Sequence, residues 1–105
     1  MKPLIWISYD LGVKGDYEGF YAWLDNHEAK ECGTSIAVLY YEFSKNLIEE
    51  LKKDLLDNVS FSKLDRIYLI WREDEKIKGR FLLGKRKAAP WSGYGGQESE
   101  IEEDS

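Results

Sequence analysis

The chain has 105 residues, 43% of them apolar, with four Trp, seven Tyr and four Phe, which is the length of one domain and enough bulky side chain for one core. A single cysteine, Cys32, and a single histidine, His27, exclude an intrachain disulfide, argue against an all-protein zinc site and suit a reduced, cytoplasmic setting. No apolar run approaches the roughly 18 residues of a membrane span, so no membrane partner is expected.

In chain order, residues 4–9 are a near-continuous apolar run with β-branched and aromatic members, which predicts a central strand buried on both faces. Residues 10–15 carry two glycines and predict a loop. Asp16 is placed to cap a first helix, on which Tyr17, Phe20, Tyr21 and Leu24 share one face. Gly19 inside that helix costs about 1 kcal/mol relative to alanine. Residues 31–33 read as a turn, with Cys32 packing as a small apolar residue.

Residues 34–43 are rich in β-formers on both faces and predict a second interior strand, or a long strand bending into a hairpin. Ser44 is the expected cap of a second helix, with Leu47, Ile48, Leu51, Leu55 and Val59 as its apolar stripe. Residues 64–71 predict a third strand, 72–75 a charged turn, and 77–83 a fourth strand paired with the third. Gly79 within it marks a bulge or a close approach. This order predicts a ferredoxin-like α/β (α+β) sandwich over residues 1–92, with both helices on one face of a mainly antiparallel sheet. Residues 93–105 predict a flexible, Gly-rich acidic tail.

Charge is unevenly spread. The last nine residues hold five acids and no base, and account for the whole net charge of −5. Residues 76–87 hold six bases and no acid. The end of that stretch, Lys85, Arg86 and Lys87, is followed by Trp91 and Tyr94. Cations meeting phosphates and rings stacking on bases make these the candidate RNA- or DNA-binding residues, Lys85, Arg86, Lys87 and Trp91. Lysines guarding an edge strand are the plain structural alternative, and the acidic tail can also fold back on the patch.

Asp10 stands where a buried strand meets a Gly-containing loop. Ligands and metals are commonly held at the carboxyl ends of strands, and a carboxylate there can hold Mg²⁺. The simpler role is to accept N–H bonds within its own loop. Gly12, Gly15 and Gly19 match no nucleotide-binding fingerprint. His27 and Cys32 lack an identifiable third group for nucleophilic chemistry. Trp6, Trp23, Tyr40, Tyr41, Tyr68 and Trp71 are expected in the core; several exposed together would mark a dimer face.

The run Ser8-Tyr9-Asp10-Leu11, a short Lys/Gly loop, Asp16-Tyr17 and a helix resembles the opening of the SinR-like proteins, small phage- or mobile-element-type relatives of the CRISPR-associated Cas-two proteins. The similarity continues through the apolar strand 36–43, Ser44 opening a Lys/Glu-rich helix, and Leu64-Asp65-Arg66-Ile67-Tyr68-Leu69-Ile70. The resemblance implies a βαββαβ core, a homodimer and, at Asp10, a Mg²⁺-dependent nuclease carboxylate. Two copies of Asp10 facing each other across the two-fold axis would share the metal. The family's arginines after that aspartate are missing, and Lys14 is the nearest cation. Three functions are therefore carried forward. The chain is a nuclease using Asp10, a non-catalytic nucleic-acid adaptor using residues 85–87, or a counter-defence protein whose acidic tail binds a host protein by imitating nucleic-acid charge.

Overall fold

Seven elements run along residues 1–96, the residues that the computed structural model describes; the acidic residues 97–105, expected as a tail, lie outside the described residues. They are β1 (Leu4–Asp10), α1 (Tyr17–Asn26), β2 (Lys30–Glu31), β3 (Ile36–Tyr40), α2 (Leu47–Asn58), β4 (Arg66–Glu73) and β5 (Lys76–Leu83). The five strands form one antiparallel sheet in the order β2-β3-β1-β4-β5. No helix among the described residues is long and apolar enough to cross a membrane.

Alternation along β1 decides where the core sits. Ile5, Ile7 and Tyr9 are buried, whereas Leu4, Trp6 and Ser8 are only half-buried. Ala37 and Leu39 of β3 and Ile67 and Leu69 of β4 extend the buried row. Phe20, Trp23 and Leu24 of α1 and Leu47, Leu51 and Leu55 of α2 close the same apolar cluster. Burying such a side chain fully is worth roughly 1.5–3 kcal/mol. The expectation of burial on both faces of β1 is thus corrected. Both helices join one cluster with the inward row, and the other face of the sheet has no covering layer among the described residues.

In α1 the core takes Phe20, Trp23 and Leu24, while Tyr17 and Tyr21 stay exposed. The 3.6-residue period accommodates either stripe, and packing on the sheet selects this one. Asp16 caps the helix as expected, its Oδ1 accepting from Gly19 N at 2.9 Å. Its Oδ2 accepts from Ser60 N at 2.9 Å, which ties the start of α1 to the chain beyond α2. The N–H groups of Ser60 and then Gly19 hold the Asp16 carboxyl below its usual range. A side chain at Gly19 would collide with that carboxylate, so the cap requires the glycine that weakens the helix.

The cap of α2 is Asn46 rather than Ser44, with Asn46 Oδ1 accepting from Glu49 N at 3.0 Å. Ser44 instead belongs to a ring of donors around Glu50. The backbone N–H groups of Ser44, Lys45 and Asn46 reach the Glu50 carboxylate at 2.9, 2.8 and 2.6 Å. Those bonds pull its pKa down from 4.5 to about 2. A folded-state pKa below the unfolded one stabilises the fold above the unfolded value, and that contribution is lost as pH falls. The native chain should therefore lose stability between pH 4.5 and about 2. In Glu50→Gln the same fall should be shallower, as read from urea midpoints along a pH series.

Two other details depart from expectation. Lys30 and Glu31 form a short edge strand opposite Val38 and Ala37, so the turn lies just beyond, at residues 32–35. Cys32 is exposed there rather than packed. In the β4–β5 hairpin, Asp74 and Glu75 adopt φ of 51° and 63°, the left-handed pair of a tight two-residue turn. Gly79 lies opposite Ile70 with the Tyr68 ring where a side chain would go, so it marks a close approach. The bulge falls instead at Ile67/Tyr68.

Candidate functional site

The uncovered face of the sheet is built by register. Leu4 pairs with Tyr40; Trp6 lies between Val38 and Ile70; Ser8 lies between Ile36 and Tyr68; Asp10 is opposite Arg66. Tyr68 in turn pairs with Phe81 of β5, their rings edge to face at 4.8 Å. Period-two alternation sends all these side chains away from the helices. Of the six aromatics expected in the core, Trp23 and Tyr41 are buried and Trp71 packs partly against the cluster. Trp6 and Tyr68 are half-buried on the open face, and Tyr40 is exposed.

Asp10 and the basic stretch meet at one end of this face. A hollow of about 480 Å³ opens there, lined by Ser8, Asp10, Arg66, Tyr68, Phe81 and Arg86 among others. The Arg66 Nη2 donates to Asp10 Oδ2 at 2.8 Å. The Asp10 side chain is 62% exposed and that of Arg66 26%, so the pair itself is worth below about 1 kcal/mol. Its chemical effect is larger than its stability. A cation already sits on the carboxylate that was the metal candidate. Among the described residues, no three His, Cys, Asp or Glu side chains converge as a metal cage. Arg66 Nε is buried without a hydrogen-bond partner among the described residues.

The Arg86 guanidinium stands 5.7 Å from the centre of the Phe81 ring, within cation–π range. Of the four expected nucleic-acid residues, Arg86 alone lines the hollow. Lys85 and Lys87 flank it, both exposed, and Trp91 is 73% exposed in the turns that follow β5.

Asp65 was missed by reading the sequence. It is 2% exposed, with Oδ1 accepting from Gly12 N and Oδ2 from Ser62 N, both at 2.7 Å. It braces the loop after Asp10 against the residue preceding Arg66, and so positions both members of the ion pair. The Ser62-x-x-Asp65 spacing, a box in which the acid bonds back to the serine N–H, was the available signal. Arg66 was equally missed, because its partner is 56 positions away.

His27 and Cys32 are not brought together. Cys32 Sγ has a contact of 3.9 Å with Lys30 O, whereas His27 Nδ1 faces Trp23 O at 2.8 Å. His27 Nε2 lies 3.7 Å from Asp54 Oδ2, which accepts from the Tyr41 hydroxyl at 2.9 Å. Burial, then the Asp54 hydrogen bond, pushes the Tyr41 hydroxyl well above its usual range. These groups tie α1, α2 and the end of β3 together.

No family model matches this chain, and neither a curated protein nor a solved structure does.

Proposed function

We propose that the chain is a ferredoxin-like protein of the Cas-two/SinR-like kind that pairs with a second copy, contacts nucleic acid, and binds rather than cuts. The ferredoxin-like reading is supported by the strand order β2-β3-β1-β4, antiparallel throughout, with one helix after β1 and another after β3; β5 is an added edge strand. The apolar middle of the open face, around Trp6 and Val38, suits a second copy.

The observation that carries the binding reading is Arg86, at the end of an aromatic sheet face beside Lys85 and Lys87, with Arg66 next to it held on Asp10. Guanidinium forks suit phosphate, and the rings of Tyr68, Phe81 and Trp91 suit bases of a single strand. The nuclease version is disfavoured because Arg66 neutralises Asp10, so Mg²⁺ would have to displace a cation or rely on the second copy's Asp10. The reading keeps the cytoplasmic setting that the cysteine content suggests.

The test is fluorescence anisotropy with labelled single- and double-stranded RNA and DNA, in Mg²⁺ or EDTA, across a salt series. Binding to single strands is expected, weakening with salt, and Arg86→Glu should weaken it at least tenfold. The same reactions run on gels should show no metal-dependent cutting. Cutting that disappears in Asp10→Asn would replace binding with catalysis. Absence of binding to every probe would sink both. Sedimentation should give a dimer for the native chain and a monomer for Trp6→Glu.

A further inference from the structure

We propose that the Arg66–Arg86 end of the open sheet face is a docking site for an acidic peptide with an aliphatic residue at its centre, and that its occupant is the chain's own segment 97–105. The inference goes beyond nucleic-acid binding, and rests on complementarity and on where the chain leaves the sheet.

Residues 1–96 carry equal numbers of acids and bases, and the five remaining acids all lie in 97–105. That segment has Ile101 at its centre, preceded by Glu98 and Glu100 and followed by Glu102, Glu103 and Asp104. The hollow has walls of Ile36, Ile70 and Phe81, with Arg86 at its margin beside the Asp10–Arg66 ion pair, so Arg86 is the cation there without a carboxylate partner among the described residues. Lys85 and Lys87 flank it along the chain. One aliphatic side chain can fill the hollow while carboxylates on either side meet the cations.

Geometry favours the same occupant. β5 runs toward the Asp10 end of the sheet, and Leu83 lies opposite Ile67, next to Arg66. The chain therefore leaves β5 beside the hollow. Three consecutive turns follow, with Ser92 N donating to Ala89 O, Tyr94 N to Trp91 O and Gly96 N to Gly93 O. They shorten the path of residues 89–96. Nine extended residues then span about 30 Å, ample against molecular extents of 44 × 37 × 25 Å. A short tether gives an effective concentration in the millimolar range, so a contact that is weak between separate molecules is occupied within one. Tail carboxylates and nucleic-acid phosphates compete for Arg86, Lys85 and Lys87, and the tail sets the threshold for binding.

The test uses the full-length chain and a fluorescein-labelled peptide of sequence 97–105, with no nucleic acid present, so failure of the nucleic-acid reading leaves it untouched. In a full-length variant carrying Glu98, Glu100, Glu102 and Glu103 as Gln and Asp104 as Asn, the arginine site is vacant. Anisotropy should then report peptide binding that falls with salt, falls at least tenfold with Arg86→Glu, and falls with a peptide carrying Ile101→Ser. The native chain should bind the peptide at least tenfold more weakly, because its own tail is in place. Carbodiimide coupling of the native chain should join a tail carboxylate to Lys85 or Lys87, within one molecule at high dilution. Equal peptide binding by native and neutralised chains, or no binding by either, overturns the proposal. If Arg86→Glu alters the thermal midpoint, Arg86→Gln serves as the same test.

Discussion

Replacing Asp65 with alanine is expected to cost about 3–5 kcal/mol, because two hydrogen bonds to a charged acceptor, each worth about 1.5–3 kcal/mol, vanish together. The carboxylate is 2% exposed, and its removal leaves Gly12 N and Ser62 N without acceptors. Gly12 is half-buried and Ser62 exposed, so water recovers part of the loss at Ser62 and the lower end of that range is expected. Asp65→Asn keeps the shape but turns one acceptor into a donor facing an N–H group, so an intermediate loss is expected. Urea unfolding with an unchanged slope is the measurement. A loss below about 1 kcal/mol for the alanine variant would mean that the loop after β1 holds itself. The same variant should loosen Asp10 and Arg66 together and weaken whatever the hollow binds.

Phe20→Ala should cost a similar amount, about 3–5 kcal/mol, through the transfer term and the cavity that remains. The side chain is fully buried, and its ring meets Tyr9 edge-on at 4.8 Å, Trp23 at 6.4 Å and Phe61 at 6.5 Å. It thus joins β1, α1 and the chain before β4. Phe20→Leu retains most of the volume and should lose under half as much. Equal losses in the two variants would mean that ring geometry, rather than filled volume, carries the contribution. Guanidinium melts followed by tryptophan fluorescence distinguish these outcomes.

What could be read from the sequence was local. The β1 run, the Asp16 cap, the α2 stripe and the β4–β5 hairpin each follow from residues within a dozen positions of one another. Misreadings arose where two local answers were nearly equal. Ser44 and Asn46 are both good caps, and the Glu50 carboxylate, by gathering the N–H groups that precede the helix, leaves the cap to Asn46. The stripes 17/20/21/24 and 20/23/24 both fit α1, and only the sheet chooses between them. The half-covered face of β1 could not be seen, because an apolar run does not reveal whether a second layer exists. The site was legible as Asp10 and as the basic stretch separately. That β4 brings Arg66 onto Asp10, and that β5 delivers Arg86 to the same hollow, is a property of register. Asp65 carried a short-range signal of its own, but a buried acid beside an arginine reads in sequence as one more surface charge.

The central position of β1 has a consequence for the order in which the chain gains structure. The β4–β5 ladder closes through two residues, whereas the pair Asp10–Arg66 joins positions 56 apart in the chain. The entropy lost on closing a loop grows with the logarithm of its length. The hairpin is thus the least demanding pairing in the sheet, and the ladders on either side of β1 require the most chain to be gathered first. Arg66 thus enters its hairpin at a lower entropic cost than the one at which Asp10 meets it across 56 residues, and the ion pair at the hollow exists only where the β1–β4 ladder is in register.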